Sequence, residues 1–111
     1  MNHNMNLTEK YFRLLESGIK DIEVRLLDKK RSILKEGDTI TFTNQNKEIV
    51  TKIIKISTFN SVIDLVDSVP LSRIGLSNLK SIATKEILDI YPKEKLNDHK
   101  ILAIEIKKIS T

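Results

Sequence analysis

The order in which hydrophobic periodicity changes along this 111-residue chain restricts its fold more than any single motif does. Thr8 precedes a segment around which Leu7, Tyr11, Leu14 and Leu15 recur at helical spacing, and Ser17-Gly18 supplies a glycine stop, so a short amphipathic helix is expected over Glu9 to Ser17. From Ile22 the period falls to two: Ile22, Val24 and Leu26 share one face of a strand, and Asp21, Glu23 and Arg25 share the other. Polar turns at Asp28 to Ser32 and Glu36 to Asp38 lead to a strand over Thr39 to Thr43, where Ile40 and Phe42 alternate with threonines. Asn44 to Lys47 links it to the β-branched run Glu48 to Ser57, and the pair reads as a hairpin. Thr58 is then expected to cap a second helix with Phe59, Val62, Ile63 and Val66 on one face, ended by Asp67-Ser68-Val69-Pro70. A third helix is expected over Ser77 to Ile90, with Leu79, Ile82, Ala83, Ile87 and Ile90 inward, until Tyr91-Pro92 breaks it. Lys100 to Ile109 alternates again and reads as a final strand, and Met5 to Leu7 as a brief first one.

Strand, helix, three strands, two helices, strand is not a regular βαβ series. It points to an α+β fold, a curved and mostly antiparallel sheet or small barrel with about three helices at its margins. Closure would also remove the exposed strand edges that an isoleucine-rich chain tolerates poorly. Residues 1–111 suffice for one core and one domain, and no repeat, linker or low-complexity tract divides them. The longest apolar runs fall far short of the roughly 20 residues that cross a bilayer, and the first residues lack a signal-peptide pattern, so the expected location is the cytoplasm. There is no cysteine, and His3 and His99 stand far apart in polar contexts without ligand spacing, so no metal site is expected. Nineteen Lys and Arg against fifteen Asp and Glu give a net charge of +4, which favours an anionic partner.

The segment Gly18-Ile19-Lys20-Asp21-Ile22-Glu23-Val24-Arg25 concentrates a glycine turn, a lysine, a carboxylate and an arginine at a helix-to-strand junction. Glu23 and Arg25 lie on one strand face, with Lys20 where the strand begins. Lys20 and Arg25 are suited to a phosphate or a base edge, and Glu23 to an exocyclic amine or to general-base work. The plainer alternative is a solvated strand face with one ion pair worth about 0–1 kcal/mol.

This octet resembles the G-x-K-x-x-E-x-R signature of ASCH domains. Neighbouring stretches fit the same pattern: a helix Tyr11 to Gly18 ending in the glycine, the step Gly37-Asp38 before Thr39 to Phe42, an aromatic-led Ser57-Thr58-Phe59, and a helix ending in Asp89-Ile90-Tyr91-Pro92. The resemblance implies a PUA-like β-barrel with a cleft lined by Lys20, Glu23 and Arg25, and a role in binding RNA, nucleotides or modified nucleosides without a cofactor. Some small members are amidohydrolases that deacetylate N4-acetylcytidine with a lysine, a threonine and a glutamate. Lys20 matches that lysine, Glu23 occupies the threonine position, and Val69 to Ser77, where the glutamate would fall, contains no acidic residue. A hydrolase of this chain, acting on a modified nucleoside or, ribonuclease-like, on RNA phosphodiesters, would therefore rest on Lys20 and Glu23, with Glu23 activating water, which needs a raised Glu or depressed Lys pKa. Tyr91 is placed to stack a base at the cleft edge or to pack at a helix end. Phe12, Phe42 and Phe59 are expected in the core.

Overall fold

The thirteen-residue strand that runs from Lys47 to Phe59 organises the sheet, because no single neighbour covers its length. The computed structural model describes residues 1–110; Thr111, included in the single-domain expectation, lies outside the described residues. We label the strands β1 (Asn2–Asn6), β2 (Ile22–Leu26), β3 (Thr39–Asn44), β4 (Lys47–Phe59) and β5 (Ile101–Ser110). The helices are α1 (Glu9–Glu16), α2 (Val62–Ser68), α3 (Leu71–Ile74), α4 (Lys80–Ile90) and α5 (Lys93–Asp98), with a 3-10 turn at Arg31–Ile33.

β4 pairs antiparallel with β3 along its first half, across the two-residue turn Gln45-Asn46 in which Gln45 takes a φ of 54°. It then hands over to β5, with register shifts at Val50/Thr51 and Ile53/Lys55. Such bulges bend and twist a strand, and here they curl the sheet into a half-barrel with strand order β1-β3-β4-β5-β2. Only the β1–β3 pair is parallel. β1 and β2 are thus the two edges, and they face each other across an unpaired seam.

Each face of the sheet buries its own core. On the inner face, Phe12 and Leu15 of α1 pack against Ile40, Phe42, Ile49, Ile53, Leu102, Ile104 and Ile106. On the outer face, Leu65, Val66, Leu71, Ile74, Ala83, Ile87 and Leu96 of α2 to α5 cover Ile22, Leu26, Ile101 and Ala103. Fully burying each such aliphatic side chain stabilises the fold by about 1.5–3 kcal/mol. β1, with the polar sequence NHNMN, is held differently: Asn2 Oδ1 accepts from the Thr39 and Thr41 hydroxyls, and Asn6 Oδ1 from Thr43.

Several sequence expectations are corrected. The first strand is Asn2–Asn6 rather than Met5 to Leu7, because side-chain bonds to β3 replace β-propensity. Thr58 does not cap a helix, since pairing with β5 carries β4 through Phe59; Ser61 caps α2 instead, accepting from the Asp64 amide. α2 buries Leu65 and Val66, while Ile63 stays exposed. In α4 only Ala83 and Ile87 of the expected inward set are buried; Leu79, Ile82 and Ile90 are largely exposed. α3 and α5 are additional to the expected helices, and each is too short for a period to show.

Candidate ligand-binding site

Two glycines set the geometry around β2. Gly18 takes a φ of 88°, so that α1 closes with Gly18 N–H donating to Leu15 O and Lys20 N–H to Leu14 O. This reversal starts β2 with Lys20 directly beneath the helix end. Gly75 closes α3 at a φ of 95°, and a Cβ there would stand 3.1 Å from Leu14 Cδ1 and 3.2 Å from Tyr11 Cδ1. Only glycine lets α3 approach α1 this closely. The approach brings the Ile74 carbonyl within reach of Lys20.

Lys20 Nζ donates to Ile22 O at 2.6 Å, to Ile74 O at 2.8 Å and to Glu23 Oε1 at 2.9 Å. An ammonium has three donors, so its capacity is filled. Glu23 Oε2 accepts from Arg25 Nε at 2.6 Å, and Arg25 Nη2 donates to Asn6 O at 2.8 Å. A continuous polar chain therefore runs from α3 through Lys20, Glu23 and Arg25 to the end of β1, crossing the seam. Lys20 is 2% exposed and Glu23 4%, which excludes the solvated strand face considered from sequence. Of the charged face expected over Asp21, Glu23 and Arg25, only Glu23 and Arg25 lie on β2 and turn inward, opposite Ile104 and Leu102 of the inner core; Asp21 precedes the strand.

Burial alone would raise the Glu23 carboxyl; the charges of Lys20 and Arg25, and their hydrogen bonds, outweigh it and hold the group below the ordinary carboxylate range. That shift runs opposite to the one a general base requires. A base or nucleophile role for Lys20 would likewise need one of its contacts to break.

Above this chain lies a cavity of about 270 Å³, lined by Asn6, Leu7, Thr8, Tyr11, Lys20, Glu23, Val24, Arg25, Ile74, Leu76, Ile87, Ile90 and Tyr91. Its walls are largely apolar, and its charged groups, Lys20, Glu23 and Arg25, cluster on the β2 side. The structure brings Lys20, Glu23, Arg25 and Tyr91 to this one hollow. The Tyr91 hydroxyl donates to Val24 O at 3.2 Å, fixing the ring as a wall, and burial raises its pKa. Tyr11 supplies a facing aromatic surface, with Lys20 Nζ 5.8 Å from its ring centroid, and burial raises its pKa as well.

In sequence Tyr11 shows only as part of the helix pattern, and the Asn6 and Ile74 carbonyls and Gly75 do not show as site groups at all. A glycine stop after Leu71-Ser72-Arg73-Ile74 was the one readable signal. Asp21 stays outside the cluster: it pairs with Arg73, whose Nε donates to Asp21 Oδ1 at 2.7 Å and whose Nη2 reaches Glu105 Oε1 at 3.0 Å. His3 bonds Asp38 and His99 bonds the Lys95 carbonyl, and among the described residues no group of three or more His, Cys, Asp or Glu could hold a metal. No helix among them is long and apolar enough to cross a membrane.

The ASCH domain profile matches residues 5–110. The chain belongs to the ASCH domain family. The half-barrel flanked by helices on both faces is consistent with the PUA-like fold of such domains, a family generally linked to RNA binding. This ASCH domain is similar to the hypothetical protein PH0355, known from a crystal structure, with a TM-score of 0.86 and 29% identity over 98% of this chain and 100% of that one. It is also similar to PF0455 from Pyrococcus furiosus, solved by NMR in solution, with a TM-score of 0.78 and 26% identity over the whole of both chains. No curated protein matches it.

Proposed function

We propose that this ASCH domain, acting as one unit over its length, binds a single nucleobase or nucleoside, free or splayed out of an RNA strand, in the seam cavity. The observation that carries the reading is the buried, anionic Glu23 held between Lys20 and Arg25 at one side of an otherwise apolar hollow. A volume of about 270 Å³ is at the small end of ligand pockets, suited to one base and not to a folded RNA surface. Each carboxylate oxygen has two acceptor sites, so Glu23 can accept an exocyclic amine while still bonded to both cations. The part of the Arg25 fork not directed at Glu23 and Asn6 can donate to a ring carbonyl. Tyr11 and Tyr91 supply flat apolar surfaces for stacking. Lys20 is the positioning residue that keeps Glu23 charged and oriented.

Binding is favoured over hydrolysis of N4-acylated cytidine, because Glu23 is held low in pKa and Lys20 is saturated as a donor. The test is equilibrium binding of the common ribonucleosides and N4-acetylcytidine, with chromatography of the same mixtures. Binding without release of cytidine, weakened at least tenfold by Glu23→Gln, is the expected result. Affinity unchanged by Glu23→Gln would sink the reading, and Lys20-dependent release of cytidine would establish the hydrolase.

A further inference from the structure

Beside Tyr91 the cavity adjoins a second hollow of about 310 Å³ that shares Arg25, Ile90 and Tyr91 with it and adds Leu26, Asp28, Arg31, Pro92 and Lys95. Three cations and one carboxylate face this annex. Asp28 is already engaged, since its Oδ1 accepts from the backbone amide of Arg31. The Arg31 Nε is buried and has no hydrogen-bond partner among the described residues. A buried donor without an acceptor is costly and rare in folded proteins, and this one belongs to a residue that lines a basic hollow adjoining a nucleoside-sized cavity. Neither Arg31 nor Lys95 forms an ion pair among the described residues, whereas Lys20, Arg25 and Arg73 all do.

Resting on the nucleoside reading of the main cavity, we propose that the annex binds the phosphate of the same ligand through Arg31 and Lys95, so that the domain selects nucleotides over nucleosides. The guanidinium of Arg31 offers a planar fork to two phosphate oxygens, and Lys95, exposed on α5, adds a mobile point charge at the rim. Arg25, Ile90 and Tyr91 line both hollows, so a base in the main cavity can direct its phosphate past the Tyr91 edge toward the annex. The phosphate is either that of a free mononucleotide or a phosphodiester within RNA.

Calorimetric titration of the four ribonucleosides, their 5′-monophosphates, their 3′-monophosphates and a short single-stranded oligoribonucleotide tests this on the intact chain. At least one monophosphate is expected to bind ten times or more tighter than its nucleoside, with the gain shrinking as salt rises. Lys95→Gln should reduce that gain several-fold and Arg31→Gln should remove it, while nucleoside affinity stays unchanged, because neither residue lines the main cavity. Should Arg31→Gln fail to fold, the exposed Lys95→Gln alone still decides. A gain confined to monophosphates identifies a free nucleotide, and an equal gain for the oligonucleotide identifies a phosphodiester; either supports the annex. Equal affinity for nucleosides and their phosphorylated forms overturns it and leaves the main cavity standing. Binding of none of these ligands removes both.

Discussion

Asp21 and Glu23 stand two residues apart, and each meets an arginine, yet they occupy different electrostatic regimes. The Asp21–Arg73–Glu105 cluster ties α3 to the outer side of β2 and β5 with every member more than a third exposed. The Lys20–Glu23–Arg25 chain lies on the inner side, with Glu23 dry and each of its oxygens bonded to a cation. Water competes for every contact in the first cluster and for almost none in the second. The first is therefore a fastening of modest strength, and the second a preorganised, already desolvated set of charges, as the proposed nucleoside site requires. The exposed cluster is anchored just before β2, at Asp21, and the dry one on β2 itself, at Glu23 and Arg25.

The largest expected effect comes from breaking the dry cluster. Lys20→Met leaves Glu23 buried with a missing partner and should cost about 3–5 kcal/mol, on the order of 15 °C or more in Tm by calorimetry. Adding Glu23→Leu to that variant should recover much of the loss, since an uncompensated charge rather than a lost attraction is responsible. If the double variant is as unstable as the single one, the cluster is not the isolated dry group described above. Next in size, Gly75→Ala forces a Cβ into the left-handed region against Leu14 and Tyr11 and should cost about 1–2 kcal/mol. It should also weaken nucleoside binding by shifting the Ile74 carbonyl off Lys20.

Acid sharpens the comparison further. The folded pKa of Glu23 lies below its ordinary value of 4.5, so the unfolded chain takes up the proton first. The stability tied to Glu23 is therefore present above pH 4.5 and is lost as pH falls from there toward the depressed folded value. Asp38, held low by its hydrogen bond from His3, adds a slope of the same sign. The difference between wild type and Glu23→Gln isolates the Glu23 part, and a difference independent of pH would contradict the assignment. The smallest effect belongs to the wet cluster: Arg73→Ala should cost under about 1 kcal/mol, with the difference shrinking in 1 M salt.

How much of this was legible depends on which physical signal each region leaves in sequence. β2 to β5 and α1 announce themselves because alternation and a glycine stop are local consequences of one buried face and one closed turn. β1 does not, since Asn2 and Asn6 hold it through threonines more than thirty residues away. Ile63, Leu79, Ile82 and Ile90 follow helical spacing but remain exposed, because periodicity gives the existence of an apolar stripe and not the reach of the layer opposite. Lys20, Glu23, Arg25 and Tyr91 could be singled out from chemistry and family resemblance. That they share a cavity, and that Glu23 is dry, depends on the seam between two edge strands and on the close approach allowed by Gly75. No local pattern encodes either.

The most direct test of the central claim is a nucleoside titration followed by amide and side-chain NMR of the isotopically labelled protein. Shifts should concentrate on Leu7, Tyr11, Glu23, Val24, Arg25 and Tyr91, with the Asp21–Arg73–Glu105 cluster unmoved. Shifts spread over that cluster or over the open lysines of β4, with the cavity silent, would contradict it.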